Sequence, residues 1–184
     1  TAAALTVVEP TANGLGSDAF AIVWHKGELI GLNSSGFAPE AITAEQVKAQ
    51  GYSTMPTFGW TPVTVPGAVK AWKSLNERFG KLTLAQCLAP AIRYAEEGYP
   101  CSPVLAHYWQ AAFDKYKKEF AGKPEFDEWF ATFAPQGHAP QPGDKITLKN
   151  HAETLKEIGR TQADSFYQGQ IADQIDACSR KYGG

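Results

Sequence analysis

The chain has 184 residues, 43% of them hydrophobic and 20% charged, and its formal net charge is -2. This length suits one globular domain with a real core. The near-neutral charge gives no field that would recruit nucleic acid or an anionic membrane, and no apolar run approaches the ~20 residues that span a bilayer. We therefore expect neither nucleic acid nor a membrane as a partner.

The first nine residues are rich in alanine and small apolar side chains and predict a helix that Pro10 ends. The chain starts abruptly inside this pattern and not at a helix cap, so we expect a trimmed start. The same residues lack the basic segment and processing site of a signal peptide and are not interpreted as one. An N-terminal nucleophile must leave a strand end with its amine near its hydroxyl. The helix-forming residues 2–5 argue against that role for Thr1.

A glycine-containing loop at residues 13–18 precedes two strand-like runs, residues 19–24 and 28–32, with a tight turn at Lys26-Gly27. Such a loop could hold a phosphate only if a helix followed it. Because a strand follows instead, we favour turn geometry before a hairpin. An isolated hairpin is marginal in water, so other elements must cover it.

From residue 40 onward the pattern is mostly helical. Thr43 and Gln46 form a capping box for a short helix. Pro66 is predicted at the first position of the next helix, and Pro90 predicts a kink, or a break into two short helices, in the one after it.

The second half predicts a long amphipathic helix opened by Ser102-Pro103, then a surface excursion over residues 121–145. The many aromatic residues between 109 and 133 lack a basic stripe and are interpreted as core or interface packing. A last helix carries Ile171, Ile175 and Cys178 on one face.

No group of residues has the spacing of a metal site, and we expect neither a metal nor a cofactor. The three cysteines are too few and too far apart for a disulfide framework, and Cys87 and Cys178 are interpreted as core thiols. The histidines are interpreted as surface or hydrogen-bonded residues, and Glu96-Glu97 as a solvated pair. The four histidines are His25, His107, His138 and His151.

The cellular compartment stays open from the sequence. The cytoplasm is slightly favoured, with the periplasm and secretion as alternatives.

Several motifs occur in a fixed order along nearly the whole chain: the loop at residues 13–16 before the Phe20 strand, residues 37–39, Pro66-Gly67, residues 88–98, and residues 166–175. In this order they resemble the large-subunit region of the γ-glutamyltranspeptidase family. The pattern is closest to the acylase-like branch, which includes enzymes grouped with cephalosporin acylases.

The resemblance implies an α+β fold, here a β-hairpin plus a mostly helical array, as part of a four-layer αββα sandwich of N-terminal-nucleophile hydrolases. We expect residues 1–184 to be a single partial domain, with the glycine-rich loop and hairpin at residues 10–39 and the helical region at residues 40–184. The missing strands are expected from a small subunit, produced by autocatalytic processing, that completes a heterodimer.

The family's activity is implied as well, including its place in glutathione metabolism. A threonine at the start of the small subunit attacks an amide, and water or an amine takes the acyl group. No such motif occurs here, so we expect no catalytic residue in this chain, which alone would be inactive. The expected substrate is a small-molecule amide or γ-glutamyl compound.

One substrate-binding position departs from the family pattern. Where the family has aspartate, arginine and glutamate before its Ala-Pro element, this chain has Asn33, Ser35 and Gly36. We predict Ser35, Asn33 and Ser34 as substrate-binding residues, with a plain turn as an equal alternative. Because a hydroxyl cannot replace the charged fork of a guanidinium, we expect poor use of γ-glutamyl compounds.

Three functions stay open from the sequence. The first is the large-subunit part of an amide-cleaving acyltransferase or hydrolase, with a cephalosporin-acylase-like enzyme without γ-glutamyl preference as a variant of it. The second is a non-catalytic interaction or scaffold fragment. The third is a small-ligand binder built on the glycine loop.

Overall fold

The computed structural model describes all residues from Thr1 to Gly184. Nine α-helices, four β-strands and a 3-10 turn at Pro124–Phe126 make up the chain. In chain order the elements are α1 (Ala2–Val8), β1 (Ala19–His25), β2 (Glu28–Ser34), α2 (Ala44–Ala49), α3 (Ala68–Phe79), α4 (Leu84–Glu97), β3 (Tyr99–Pro100), α5 (Pro103–Phe120), α6 (Asp127–Phe133), β4 (Lys145–Ile146), α7 (Lys149–Arg160), α8 (Asp164–Gln168) and α9 (Gln170–Tyr182). The predicted α+β class, a hairpin plus a mostly helical array, is confirmed.

The residues fall into two compact units, one formed by residues 1–14 and 85–157 and the other by residues 15–84 and 158–184. Both units combine segments that are distant in sequence. Each therefore depends on long-range packing and not on local propensity alone.

The second unit contains the predicted hairpin. Strands β1 and β2 pair antiparallel from Ala19 opposite Ser34 to His25 opposite Glu28. Lys26 and Gly27 both have positive φ, 51° and 86°. Two consecutive left-handed residues are typical of the tight turn whose twist matches that of the paired strands.

The two faces of the hairpin differ sharply. Side chains alternate between faces along a strand, and one face packs on α3. The other face exposes Phe20, Ile22, Trp24 and Leu29 to solvent by 68–79%. Four large apolar side chains in one contiguous row are more than scattered surface hydrophobics. We call these four residues the apolar row.

The first unit is built on helices α1, α4, α5 and α7, with Val7, Leu88, Leu105 and Leu155 almost fully buried. Strands β3 and β4, which the sequence analysis missed, are each two residues long and pair Tyr99 with Ile146. The predicted helix start at Ser102 is confirmed, because the Ser102 hydroxyl accepts a hydrogen bond from the Leu105 N–H at 3.1 Å.

The predicted surface excursion over residues 121–145 is mostly exposed, as expected. It also contains the 3-10 turn, α6 and the first residue of β4, which were not predicted. Trp109 is buried, stacks edge-on against Phe133 and donates to its backbone carbonyl at 2.8 Å. The interpretation of these aromatics as packing residues is confirmed, and this packing is what orders the segment.

Two helix predictions based on proline are corrected by the structure. The break into two short helices at Pro90 is wrong, because helix α4 is one element with Leu88 and Ala91 buried on either side of the proline, whereas the alternative of a kink stays a prediction. Helix α3 has Gly67 as its N-cap, so Pro66 precedes the helix instead of occupying its first position.

The prediction that Cys87 is a core thiol is also wrong. Cys87 is exposed, whereas Cys101 is buried and Cys178 is half-buried. Cys87 lies at the edge of the buried stripe formed by Leu84, Leu88 and Ala91. Helical periodicity alone does not distinguish the edge of such a stripe from its centre.

Two local predictions are confirmed. The capping box of α2 is present, with mutual hydrogen bonds between Thr43 and Gln46 at 2.8 and 3.2 Å. Residues 2–8 are helical after Thr1, as expected. No helix in the chain is both long and apolar enough to cross a lipid bilayer.

Candidate functional site

The predicted substrate-binding residues lie where β2 ends, in a turn that we call the 33–36 turn. The Asn33 side chain accepts two hydrogen bonds at 2.9 Å, one from the Ser35 backbone N–H and one from the Ser35 hydroxyl. A backbone N–H can only donate, so the accepting atom is the Asn33 amide oxygen. The Asn33 NH2 group is then available as a donor, and the Ser35 oxygen remains available as an acceptor.

Ser34 points to the opposite face of the strand. Its hydroxyl donates to the Gly67 carbonyl at 2.7 Å, at the N-terminus of α3. The structure thus gives Ser34 a hydrogen bond inside the unit, while Asn33 lies on the face of the apolar row, in register with Phe20. The substrate-binding role of all three residues stays a prediction.

Close backbone approach fixes the 33–36 turn against residues 65–67. A Cβ on Gly36 would lie 1.5 Å from the Val65 carbonyl oxygen, and one on Gly67 would lie 1.8 Å from the Ser34 carbonyl oxygen. The Val65 N–H also donates to the Phe37 carbonyl at 2.9 Å. Only glycine fits at positions 36 and 67.

The charge at the turn is negative. Asp18, from the glycine-containing loop, accepts a hydrogen bond from the Gly36 N–H at 3.3 Å. None of the hydrogen bonds of residues 33–36 involves a lysine or an arginine. A carboxylate brought to this turn would meet the like charge of Asp18.

The loop that supplies Asp18 has a structural function at its other end. The Ser17 carbonyl accepts from the Gly67 and Ala68 N–H groups at 3.1 and 2.8 Å. These two donors belong to the first turn of α3, which has no side-chain cap. The loop therefore anchors a helix start, in agreement with the interpretation as a turn.

The histidines do not form a metal centre. No three or more His, Cys, Asp or Glu side chains lie close enough together to hold a metal ion. His151, as predicted, is hydrogen-bonded: its Nε2 lies 3.0 Å from the Thr6 hydroxyl. The Thr6 hydroxyl donates to the Ala3 carbonyl, so His151 is the donor, and burial lowers the pKa of its ring.

Sequence reasoning missed two residues that the structure connects to the turn. Asp18 had been considered only as part of a loop, and Tyr167 only as part of a family-like motif. A sequence signal for Asp18 did exist. It is an acidic residue directly before β1, and β1 pairs with β2, the strand that ends at the predicted substrate-binding residues. The Tyr167 hydroxyl donates to the Pro66 carbonyl at 2.8 Å, and no sequence signal linked these two residues, which are 101 positions apart.

The structure is that of an α+β protein whose helix-backed hairpin has an uncovered apolar face and a polar turn at its edge. The model of the γ-glutamyltranspeptidase family matches residues 1–184. The chain belongs to this family and to its acylase-like branch, and the family is one of enzymes.

Solved structures support this strongly. A cephalosporin acylase from Bacillus halodurans is 55% identical with a TM-score of 0.97, covering all of this chain and 34% of that one. A γ-glutamyltranspeptidase from Helicobacter pylori is 31% identical with a TM-score of 0.85, over all of this chain and 52% of that one. These neighbours establish the N-terminal-nucleophile hydrolase fold for the region.

Curated relatives are similar over the same region. The oxamate amidohydrolase proenzyme of Klebsiella pneumoniae is 34% identical over 181 residues, which is 95% of this chain and 33% of that protein. The glutathione hydrolase-like YwrD proenzyme of Bacillus subtilis is 32% identical over 176 residues, 94% of this chain and 32% of that protein. The chain thus spans about a third of the length of these relatives.

Proposed function

We propose that residues 1–184 are the large-subunit region of an acylase-like amide hydrolase or acyltransferase whose nucleophile, an N-terminal threonine, lies in another segment. The single observation that carries this proposal is the match of the whole chain to the family, with the acylase structure superposing at a TM-score of 0.97. We keep residues 1–184 as one partial domain in this proposal, with residues 10–39 as its loop and hairpin and residues 40–184 as its helical region.

The apolar row is the surface on which the missing segment would dock. Phe20, Ile22, Trp24 and Leu29 are all exposed on one hairpin face. Burying a large apolar side chain contributes about 1.5–3 kcal/mol, so four of them favour a covering sheet strongly. Strands of a small subunit packed on this face would complete the sandwich and bring its nucleophile toward the 33–36 turn.

Variants of the complete protein test this docking. Ile22→Lys places a charge in the proposed interface and should prevent recovery of a two-polypeptide complex. Val104→Lys is the matched control, since Val104 is a β-branched residue with 65% exposure on α5. Equal recovery of the complex from both variants would refute docking on the apolar row.

We further propose that the 33–36 turn binds the acyl part of the substrate and does not require an α-carboxylate. The turn offers the Asn33 NH2 group as a donor and the Ser35 oxygen as an acceptor. The Asp18 carboxylate beside it disfavours a second carboxylate. The favoured acyl group is therefore neutral or carries an amine.

Two chromogenic amides isolate the carboxylate. L-γ-glutamyl-4-nitroanilide and 4-aminobutyryl-4-nitroanilide differ only by that group. We expect a higher kcat/KM for the 4-aminobutyryl amide in the wild-type complete protein, and Ser35→Arg should shift the preference toward the glutamyl amide by about tenfold, the effect of one charge-assisted bond of ~1.5 kcal/mol. An unchanged ratio would place Ser35 outside the acyl pocket.

A further inference from the structure

The Tyr167 hydroxyl makes two hydrogen bonds to backbone groups that are distant in sequence. It donates to the Pro66 carbonyl at 2.8 Å and accepts from the Lys70 N–H at 2.9 Å. The Lys70 N–H belongs to the first turn of α3, where donors have no partner inside the helix. Since Gly67 caps α3 without a side chain, the Tyr167 hydroxyl takes the place of a cap.

The segment that Tyr167 holds is the one that contacts the 33–36 turn. Pro66 lies between Val65, whose N–H donates to the Phe37 carbonyl, and Gly67, whose carbonyl accepts from the Ser34 hydroxyl. The two backbones are in contact where Gly36 meets Val65. A displacement of residues 65–67 must therefore displace the 33–36 turn, because no gap between them can absorb it.

The Tyr167 ring makes a contact that does not involve its hydroxyl: it packs edge-on against Phe166, with 5.1 Å between the ring centroids. On another side, together with Trp60, Pro66 and Ile175, it lines a mostly apolar pocket of about 260 Å³. Burial raises the pKa of the Tyr167 phenol, so the group stays protonated and able to donate at neutral pH. Replacing Tyr167 by phenylalanine should then remove only the oxygen and keep the ring in place.

We propose that Tyr167 is a positioning residue for the acyl-binding turn: its hydroxyl fixes residues 65–67, and these fix Asn33 and Ser35. This inference rests on the function proposed above for the 33–36 turn. It gives the Tyr167 hydroxyl a function in substrate binding, exerted through the backbone, although Tyr167 belongs to a helix distant from the turn in sequence.

The first experiment measures turnover of 4-aminobutyryl-4-nitroanilide by the complete protein carrying Tyr167→Phe. We expect kcat/KM to fall about five- to tenfold, the usual effect of losing one to two hydrogen bonds. The fall should come mainly from a raised KM, because the turn contacts the acyl group in the ground state and the transition state alike.

Tyr99→Phe is the matched control. Tyr99 is buried in the other unit and donates to the Val7 carbonyl at 2.7 Å, so its variant also loses a tyrosine-to-backbone hydrogen bond. A general loss of stability would lower turnover equally in both variants. We expect KM to change only in Tyr167→Phe, and an equal change in both would overturn the proposal.

A double-mutant cycle separates positioning from a structural effect. In an Asn33→Ala/Ser35→Ala background, Tyr167→Phe should change kcat/KM by less than about twofold, because residues that act through one another are not additive. Hydrogen exchange at the Val65, Lys70 and Gly36 amides should become faster in Tyr167→Phe. The positioning role would be overturned if Tyr167→Phe lowered kcat/KM by the same factor in the Asn33→Ala/Ser35→Ala background as in the wild type. Unchanged hydrogen-exchange rates at these amides would overturn it as well.

The outcomes also distinguish this inference from the proposed function. If Asn33→Ala/Ser35→Ala itself turns over the anilide like the wild type, the proposed acyl site is wrong and the positioning role is lost with it. If that variant is impaired but Tyr167→Phe is not, only the role of Tyr167 is overturned.

Discussion

Replacing Gly36 by alanine should separate the two backbones that form the proposed acyl site. A Cβ on Gly36 would lie 1.5 Å from the Val65 carbonyl oxygen and 2.5 Å from its carbon. Nonbonded carbon and oxygen atoms approach to about 3.3 Å, so the segments must move apart by about 2 Å. The obstacle is backbone and not the end of a flexible side chain, so a rotamer change cannot relieve it.

The expected cost follows from the contacts that such a movement breaks. The bond from the Val65 N–H to the Phe37 carbonyl and the bond from Ser34 to Gly67 are both lost. Each contributes about 0.5–1.5 kcal/mol. Residual strain from overpacking adds about 1–3 kcal/mol. We therefore expect Gly36→Ala to reduce the free energy of unfolding by roughly 3 kcal/mol.

Thermal unfolding of the complete protein measures this cost, and Gly16→Ala provides the control. Gly16 lies in the loop before β1, outside the apolar row, and no atom lies within 4 Å of a Cβ built there. The relatives are about three times as long as this chain, and a protein of that size loses only about 1 °C in melting temperature for each kcal/mol, so we expect a fall of about 2–4 °C for Gly36→Ala. Gly16→Ala should leave the melting temperature nearly unchanged. Similar melting temperatures for the two variants would refute the close contact.

Three further predictions concern single groups. Burial lowers the pKa of His151, so at acidic pH the unfolded chain binds a proton that the folded chain does not. The free energy of unfolding should therefore fall as the pH drops below about 6.5. In His151→Gln, the melting temperature should change less between pH 7 and pH 5 than in the wild type. A thiol reagent should label exposed Cys87 in the native protein but Cys101 only after unfolding, because Cys101 is buried and burial raises the pKa of its thiol. Mass spectrometry of the labelled peptides checks the order, and labelling of Cys101 before Cys87 would contradict it. The buried Ser165 hydroxyl oxygen has no hydrogen-bond partner, so Ser165→Ala should keep or raise the melting temperature. A loss of more than about 1 kcal/mol in the free energy of unfolding would contradict the lack of a partner.

The elements that were predicted correctly are those specified by local chemistry. The hairpin follows from two β-prone runs around Lys26-Gly27, where the turn needs two positive φ values. The capping box of α2 is likewise contained in four consecutive residues, Thr43 to Gln46. Interactions within a few residues need no knowledge of the rest of the fold.

The elements that were missed depend on distant partners. Strands β3 and β4 are two residues each and are joined across some forty-five positions, so neither has a periodic signal. Helix α4 continues through Pro90 because tertiary packing overrides a local preference.

The candidate site divides in the same way. Asn33 and Ser35 were found from a short motif, and their mutual hydrogen bonds are local. The turn contacts Asp18 and residues 65–67, and the Tyr167 hydroxyl donates to Pro66 and accepts from Lys70. These contacts span 18 to 101 positions. Only the folded chain brings these groups together.

The central claim is that this chain is one part of a self-processing enzyme that another segment completes. Intact-mass measurement of the purified complete protein, with sequencing of each N-terminus, tests it most directly. We expect two co-purifying polypeptides, the second beginning with threonine, with the acyl group of a slowly turned-over amide attached to that second polypeptide. A single uncleaved chain that hydrolyses the amide, or an acyl group attached within residues 1–184, would contradict the claim.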